Sequence, residues 1–136
     1  MLDTNVLVAA LRSSGGSSFR LLSLVGRSDR FEVHLSVPLV LEYEEAAMRQ
    51  VGLLGLSGDD IADVLDYLCS AACLHEIFFL WRPMLRHPRD ELVLEVAVAG
   101  SCQGIISHNK SDFVGAEKFG LWVESPREFL KRIGEQ

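Results

Sequence analysis

Met1-Leu2-Asp3-Thr4-Asn5-Val6-Leu7-Val8 sets a carboxylate between a very short apolar strand and an apolar helix. Open α/β sheets hold their ligands outside the carboxyl ends of strands, so Asp3 stands where such folds carry chemistry. Three later stretches bring acids to comparable junctions: Glu42 in Leu39-Val40-Leu41-Glu42-Tyr43, Asp90 in Pro88-Arg89-Asp90-Glu91-Leu92, and Asp112 in Asn109-Lys110-Ser111-Asp112-Phe113. Carboxylates from scattered segments converging on one pocket point to a divalent-metal site. Hard cations such as Mg2+ or Mn2+ take oxygen ligands and keep several waters, so one or two direct carboxylates suffice when others act through water. Without metal, acids crowded together repel and at least one pKa should rise.

Working outward from that junction, apolar periodicity alternates between strand and helix. Phe31 to Ser36 reads as a strand, and Pro38 to Met48 as a helix with Ser36 as N-cap and Pro38 in the permissive first turn. Ser57 to Asp60 forms a variant capping box. Behind it Ile61, Val64, Leu65, Leu68, Cys69 and Ala72 make one apolar stripe, with Asp59, Asp60, Asp63 and Asp66 on the solvated side. Ile77 to Trp81 reads as a strand closed by Pro83, and Asp90 to Ala99 as a helix apolar almost all round, suited to the centre of the fold. Gly104 to Ser107 and Leu121 to Val123 are short strands, and Ser125-Pro126-Arg127-Glu128 starts a last helix running to about Ile133. Alternation of this kind implies a mostly parallel sheet covered by helices on both faces. The glycine pair Gly15-Gly16 lacks the Gly-Lys-Ser/Thr ending of a phosphate-cradling loop.

The 136 residues fit a single domain, 1–136, able to close a core without staples. Apolar runs are too short for a bilayer span, and the start lacks the basic region of a signal peptide. Three cysteines, an odd number, fit a reducing cytoplasm rather than a disulfide framework. Cys69 and Cys73 read as buried small apolar residues of a helix, and a zinc site would need further ligands at suitable spacing, which the sequence does not offer. A net charge of −6 counts against a general phosphate-binding surface without excluding a locally basic cleft. Arg86, His87 and Arg89 beside Asp90, and His108 and Lys110 beside Asp112, could supply one. His34, in a strand, and His75, at a helix end, read as structural.

Asp3-Thr4-Asn5, Leu41-Glu42-Tyr43, Arg86-His87-Pro88-Arg89-Asp90-Glu91, Ile106-Ser107-His108-Asn109-Lys110-Ser111-Asp112-Phe113 and Ser125-Pro126-Arg127-Glu128-Phe129-Leu130 resemble, in order and spacing, the PIN-domain family. The likeness is closest to bacterial PIN proteins regarded as toxins of toxin–antitoxin systems, akin to the VapC-type ribonucleases. The resemblance implies a PIN-like three-layer α/β/α sandwich with a mostly parallel sheet of four to five strands. It also implies an Mg2+- or Mn2+-dependent endoribonuclease, the toxin of a type II system, with RNA as substrate, a cognate antitoxin as partner, a homodimeric state and no membrane.

Carried over residue by residue, Asp3, Glu42, Asp90 and Asp112 match the family's acidic positions, while Thr4, Asn5, Ser107 and Asn109 match its polar supporting positions. Asp3 and Asp90 are the candidates for direct metal contact, and Glu42 and Asp112 for action through water. Glu45 and Glu91 fit solvent-facing roles, and Arg86, Arg89 and Lys110 are candidate phosphate contacts. The chain departs from many relatives in having His87 where they carry aspartate, Ser107 for threonine and Asn109 for aspartate, and only Met1 and Leu2 ahead of Asp3. A mean hydropathy of +0.21 and the run Phe78-Phe79-Leu80-Trp81 favour a shared apolar surface between subunits. Two other readings fit the acids less closely: a catalytically weak or inactive PIN-fold module binding RNA or protein, and a phosphoryl-transfer enzyme with Asp3 as nucleophile.

Overall fold

The computed structural model describes residues 1–52, 55–75 and 88–135, and residues 88–92 among them by backbone alone. Each helix start has a local cause. Asp3, in extended conformation, accepts the Thr4 N–H and opens α1 (Thr4–Arg12). The Gly15-Gly16 turn releases the chain into α2 (Ser17–Leu24), which the sequence reading did not anticipate. Ser36, the last residue of β1 (His34–Ser36), caps α3 (Val37–Met48) by accepting the Leu39 N–H at 3.2 Å. Reciprocal capping boxes begin α4 (Gly58–Ala71), through Ser57 and Asp60, and α6 (Pro126–Arg132), through Ser125 and Glu128. Between them lie β2 (Cys73–His75), α5 (Pro88–Ala99), β3 (Gly104–Ile106), two 3-10 turns at Lys110–Phe113 and Ala116–Phe119, and β4 (Trp122–Glu124).

All strand pairing is parallel, as the alternation of elements requires. β1 runs beside β2 with His34 opposite Cys73 and Ser36 opposite His75, and β3 runs beside β4 with Gly104 opposite Trp122. Leu2 joins β3 by a single parallel bridge to Ile106, closed by Asp3 N–H to Ile106 O and Ile106 N–H to Met1 O, both 2.8 Å. The fold is therefore α/β, but among the described residues the expected four- to five-stranded sheet is two parallel pairs with Leu2 added to one. The Leu2 carbonyl accepts the buried Tyr43 hydroxyl instead of a β1 amide. A cleft of about 780 Å3 opens between the starts of β1 and β3, lined by Met1, Val33, His34, Cys102 and Gly104. The strand expected at Ile77–Trp81 lies outside the described residues.

The second difference concerns residues read as helical. The stripe expected to reach Ala72 stops at Ala71, and Cys73-Leu74-His75 turns into strand instead. Backbone pairing with the open edge of β1, beginning with Cys73 N–H to Val33 O at 2.8 Å, outweighs the helical propensity of that stretch. Cys73 and His75 are thus strand residues, and both Cys69 and Cys73 are partly exposed rather than buried. The solvated side of α4 is as expected, with Asp59, Asp60, Asp63 and Asp66 all exposed.

α5 is the centre anticipated from its all-round apolarity. It packs against α3, β1 and β3, burying Val93, Leu94, Val96 and Ala97, and so ties the two strand pairs into one core with Leu35, Leu39, Ile105 and Phe113. Near the start of β3, Gly104 is required by a close approach: a Cβ there would lie 2.1 Å from the Trp122 indole. That ring cannot simply swing away, since it stacks on Phe129 at 5.7 Å and lies under the Arg132 guanidinium at 4.7 Å, which Glu124 holds in a two-point ion pair. Gly104→Ala should therefore destabilise the fold by about 1–3 kcal/mol through overpacking. Urea unfolding of both proteins checks this, and an unchanged midpoint would contradict the packing described for β3 and β4.

Candidate active site

Asp3 is 5% exposed and both of its carboxylate oxygens are engaged. Oδ1 accepts the Thr4 N–H at 2.8 Å, and Oδ2 accepts the hydroxyl of Ser107 at 2.6 Å. Ser107, the fully buried residue following β3, is the hub of this corner. Its Oγ also accepts the Asn109 N–H at 3.0 Å and the Asn5 side-chain amide at 3.3 Å. Asn5 in turn accepts the His108 N–H at 3.1 Å, fixing the loop after β3 to the first turn of α1. Asn109 continues the chain of contacts outward by donating to Asp112 Oδ2 at 2.8 Å, while its own oxygen accepts the Ser111 hydroxyl.

Three of the four expected acids line one cleft, which is not a tight cage. Asp3, Thr4, Asn5, Glu42, His108 and Asp112 line one opening of about 490 Å3 at the carboxyl ends of Leu2 and β3. Glu42, 8% exposed, reaches it from α3. Among the described residues, however, the trio of ligand-type atoms lying within 4.8 Å of one another is Glu32, His34 and Cys73, at the other end of the strands. The wider spacing of Asp3, Glu42 and Asp112 suits a hydrated hard cation, held by some carboxylates directly and by others through water. Asp90 opens α5, and its side chain, with those of Arg89 and Glu91, lies outside the described residues, as do Arg86 and His87.

One expectation about charge changes in detail. Lys110 is bound to Glu128 at 2.8 Å, and with the Ser125 N–H it holds the Glu128 carboxyl at about 2. Its ammonium is therefore occupied by the cap of α6 and is not a free phosphate contact. Glu45 is exposed, as expected, and pairs with Arg49. Residues missed in the sequence were on the same helix as Asn5: Val8, Ala9 and Arg12 line the cleft with it. Their spacing from Asn5, at helical i+3, i+4 and i+7, was the available signal. Arg12 is steadied by two hydrogen bonds to the Gln50 side chain, and His108 by a 2.5 Å contact to Ser18 on α2.

Burial is the largest influence on Asp3 and raises its pKa, with the Asp112 charge adding to the effect. The hydrogen bonds from Ser107 and Thr4, and His108, oppose the rise without cancelling it. A carboxylate whose folded pKa exceeds its unfolded value binds its proton more tightly in the native state, so stability is greatest at low pH and falls as pH climbs through the raised value. Without metal, the ionised Asp3 is thus a destabilising group near neutrality. Asp3→Asn should leave the metal-free protein as stable or more stable at pH 7, and should flatten the loss between the ordinary aspartate range and the raised value. Thermal melts against pH in chelator check both. A large loss of stability at pH 7 would mean that Asp3 serves chiefly as the cap of α1.

An α/β chain with buried and half-buried acids at the carboxyl ends of parallel strands has the layout of a metal-using hydrolase. The family model for the PIN domain matches residues 1–111, and the chain belongs to the PIN-domain family. PIN domains are typically nucleases that use divalent metal ions. No curated protein and no solved structure matches the chain. Among the described residues, no helix is long and apolar enough to cross a membrane.

Proposed function

We propose that this protein is an Mg2+- or Mn2+-dependent endoribonuclease, the toxin component of a type II toxin–antitoxin system acting in the cytoplasm. The observation that carries the reading is the single cleft shared by Asp3, Glu42 and Asp112, in which a desolvated carboxylate is already oriented by Ser107. The donor set is oxygen only, which fits a hard cation and not a thiophilic one. Bound there, the ion supplies polarisation of the scissile phosphoryl group and a more acidic water.

The chain's own residues do the positioning. Asp3 and Asp90 would hold the ion, and Ser107 keeps the Asp3 carboxylate from rotating away. Glu42 and Asp112 would orient water in the cleft, with Asn109 fixing Asp112. Arg12 and His108 flank the cleft and face the phosphates of a single RNA strand, with Arg86 and Arg89 as further contacts. Lys110 joins them only by leaving Glu128, an exchange of one exposed ion pair for another that costs little.

Cleavage of a labelled single-stranded RNA should vanish on chelation, return with Mn2+ or Mg2+, and weaken as salt rises. Asp3→Asn and Asp112→Asn should each lower the rate by about a hundredfold or more. Cleavage that survives exhaustive chelation would overturn the metal-dependent reading, and metal binding without cleavage would favour an RNA- or protein-binding PIN module. Growth arrest on expression, relieved by the protein encoded next to it, tests the toxin role.

We also propose a homodimer. Val37, Leu41 and Met48 on α3 are exposed and spaced to share one face, an apolar patch interrupted by the exposed Glu44 that a second copy could cover. Leu41→Glu should shift the light-scattering mass from dimer to monomer with the melting midpoint little changed. A monomer at millimolar concentration in the unsubstituted protein would rule the dimer out.

A further inference from the structure

The other ends of the strands hold a second group of ligand-type side chains, unrelated to the acidic cleft. Register places His34 of β1 directly opposite Cys73 of β2, and Glu32 precedes β1 on the same side. One oxygen of Glu32, Oε2, lies 3.6 Å from His34 Nε2 and 3.6 Å from Cys73 Sγ. All three ligand atoms fall within 4.8 Å of one another. Bond lengths to tetrahedral zinc imply separations between ligand atoms of roughly 3.3–3.8 Å, so two of the three edges already have the required length. The third edge, from His34 Nε2 to Cys73 Sγ, closes by a side-chain rotation of the half-exposed Cys73, which the exposed Glu32 can follow.

What distinguishes the group from a chance surface cluster is the support behind the imidazole. His34 Nδ1 faces His75 Nε2 at 2.6 Å, with the ring centroids 4.9 Å and the ring planes 10° apart. A hydrogen bond between them with the proton on His34 Nδ1 leaves the Nε2 lone pair directed at Glu32 and Cys73. Metal-ligating histidines are oriented in this way, by a partner on the nitrogen that does not bind. Gly100 closes the back of the pair: a Cβ there would sit 2.8 Å from each of the two nitrogens, so only glycine lets the end of α5 approach.

We propose that Glu32, His34 and Cys73 form a binding site for a divalent transition ion of the zinc class, at the end of the strands opposite the acidic cleft. Thiolate, imidazole and carboxylate together select zinc over magnesium, because hard cations avoid sulfur and imidazole. Three protein ligands leave a fourth position for water or an incoming group. His75 is a positioning residue. The ion would fasten β1 to β2 across Cys73.

Cobalt(II) added to the chelator-stripped full chain tests this, read by the thiolate-to-cobalt charge-transfer absorption and displaced afterwards by zinc. One equivalent should bind with that absorption, and a large excess of Mg2+ should not remove it. Cys73→Ser should abolish the band, Glu32→Gln should weaken binding about tenfold or more, and His75→Ala by a similar factor through loss of orientation. Asp3→Asn, Cys69→Ser and Cys102→Ser should keep the band. Absence of the band in the folded unsubstituted chain, or its persistence in Cys73→Ser, would overturn the site. Glu32 is exposed and away from the core, so an unchanged affinity in Glu32→Gln removes it from the ligand set without any question of folding.

Discussion

The hydrogen bond from Ser107 to Asp3 joins residues 104 positions apart and is the constraint on which the rest of the corner depends. The Asp3 side chain opens α1 and presents the most desolvated acid of the cleft, while its backbone N–H closes the Leu2 bridge to β3. A buried carboxylate is costly unless its oxygens are satisfied, and here the backbone of Thr4 and the hydroxyl of Ser107 supply both partners. The same Ser107 oxygen receives Asn5 and Asn109, so the loop after β3 cannot shift without disturbing the first turn of α1.

Much of this was legible in the chain because it is local. Ser36, Ser57 and Ser125 announce their helices through side chains that reach only three residues ahead. The apolarity of α5 on every face announced a helix with neighbours all round, and its contacts with α3, β1 and β3 bear that out. The α/β class followed from the same alternation of periods. Asp3, Glu42 and Asp112 could be picked out because each stands near a junction in the apolar pattern, and the structure brings these three to one cleft.

What the sequence hid was non-local. Cys73 sits in a run that reads as the tail of a helix, and only the open edge of β1 makes it a strand. Once there, it meets Glu32 and His34 across about forty positions of chain, a spacing no linear ligand motif describes. Lys110 looked like a free cation beside an acid, and nothing nearby in sequence revealed that Glu128 would claim it. Arg12 failed to stand out because its role depends on which face of α1 looks into the cleft.

The start of the chain has a consequence for anyone attaching an affinity handle. The Met1 ammonium is buried, donates to the Gly104 carbonyl at 3.1 Å, and has its pKa depressed by that burial. A residue joined to it would turn a desolvated charge into a neutral amide and lead straight into the cleft between β1 and β3. The backbone N–H of Glu135 donates to the Leu130 carbonyl and its carboxylate pairs with Arg20, so the last described turn is held against α2 by a contact at the surface, while Met1 is held by one inside the core.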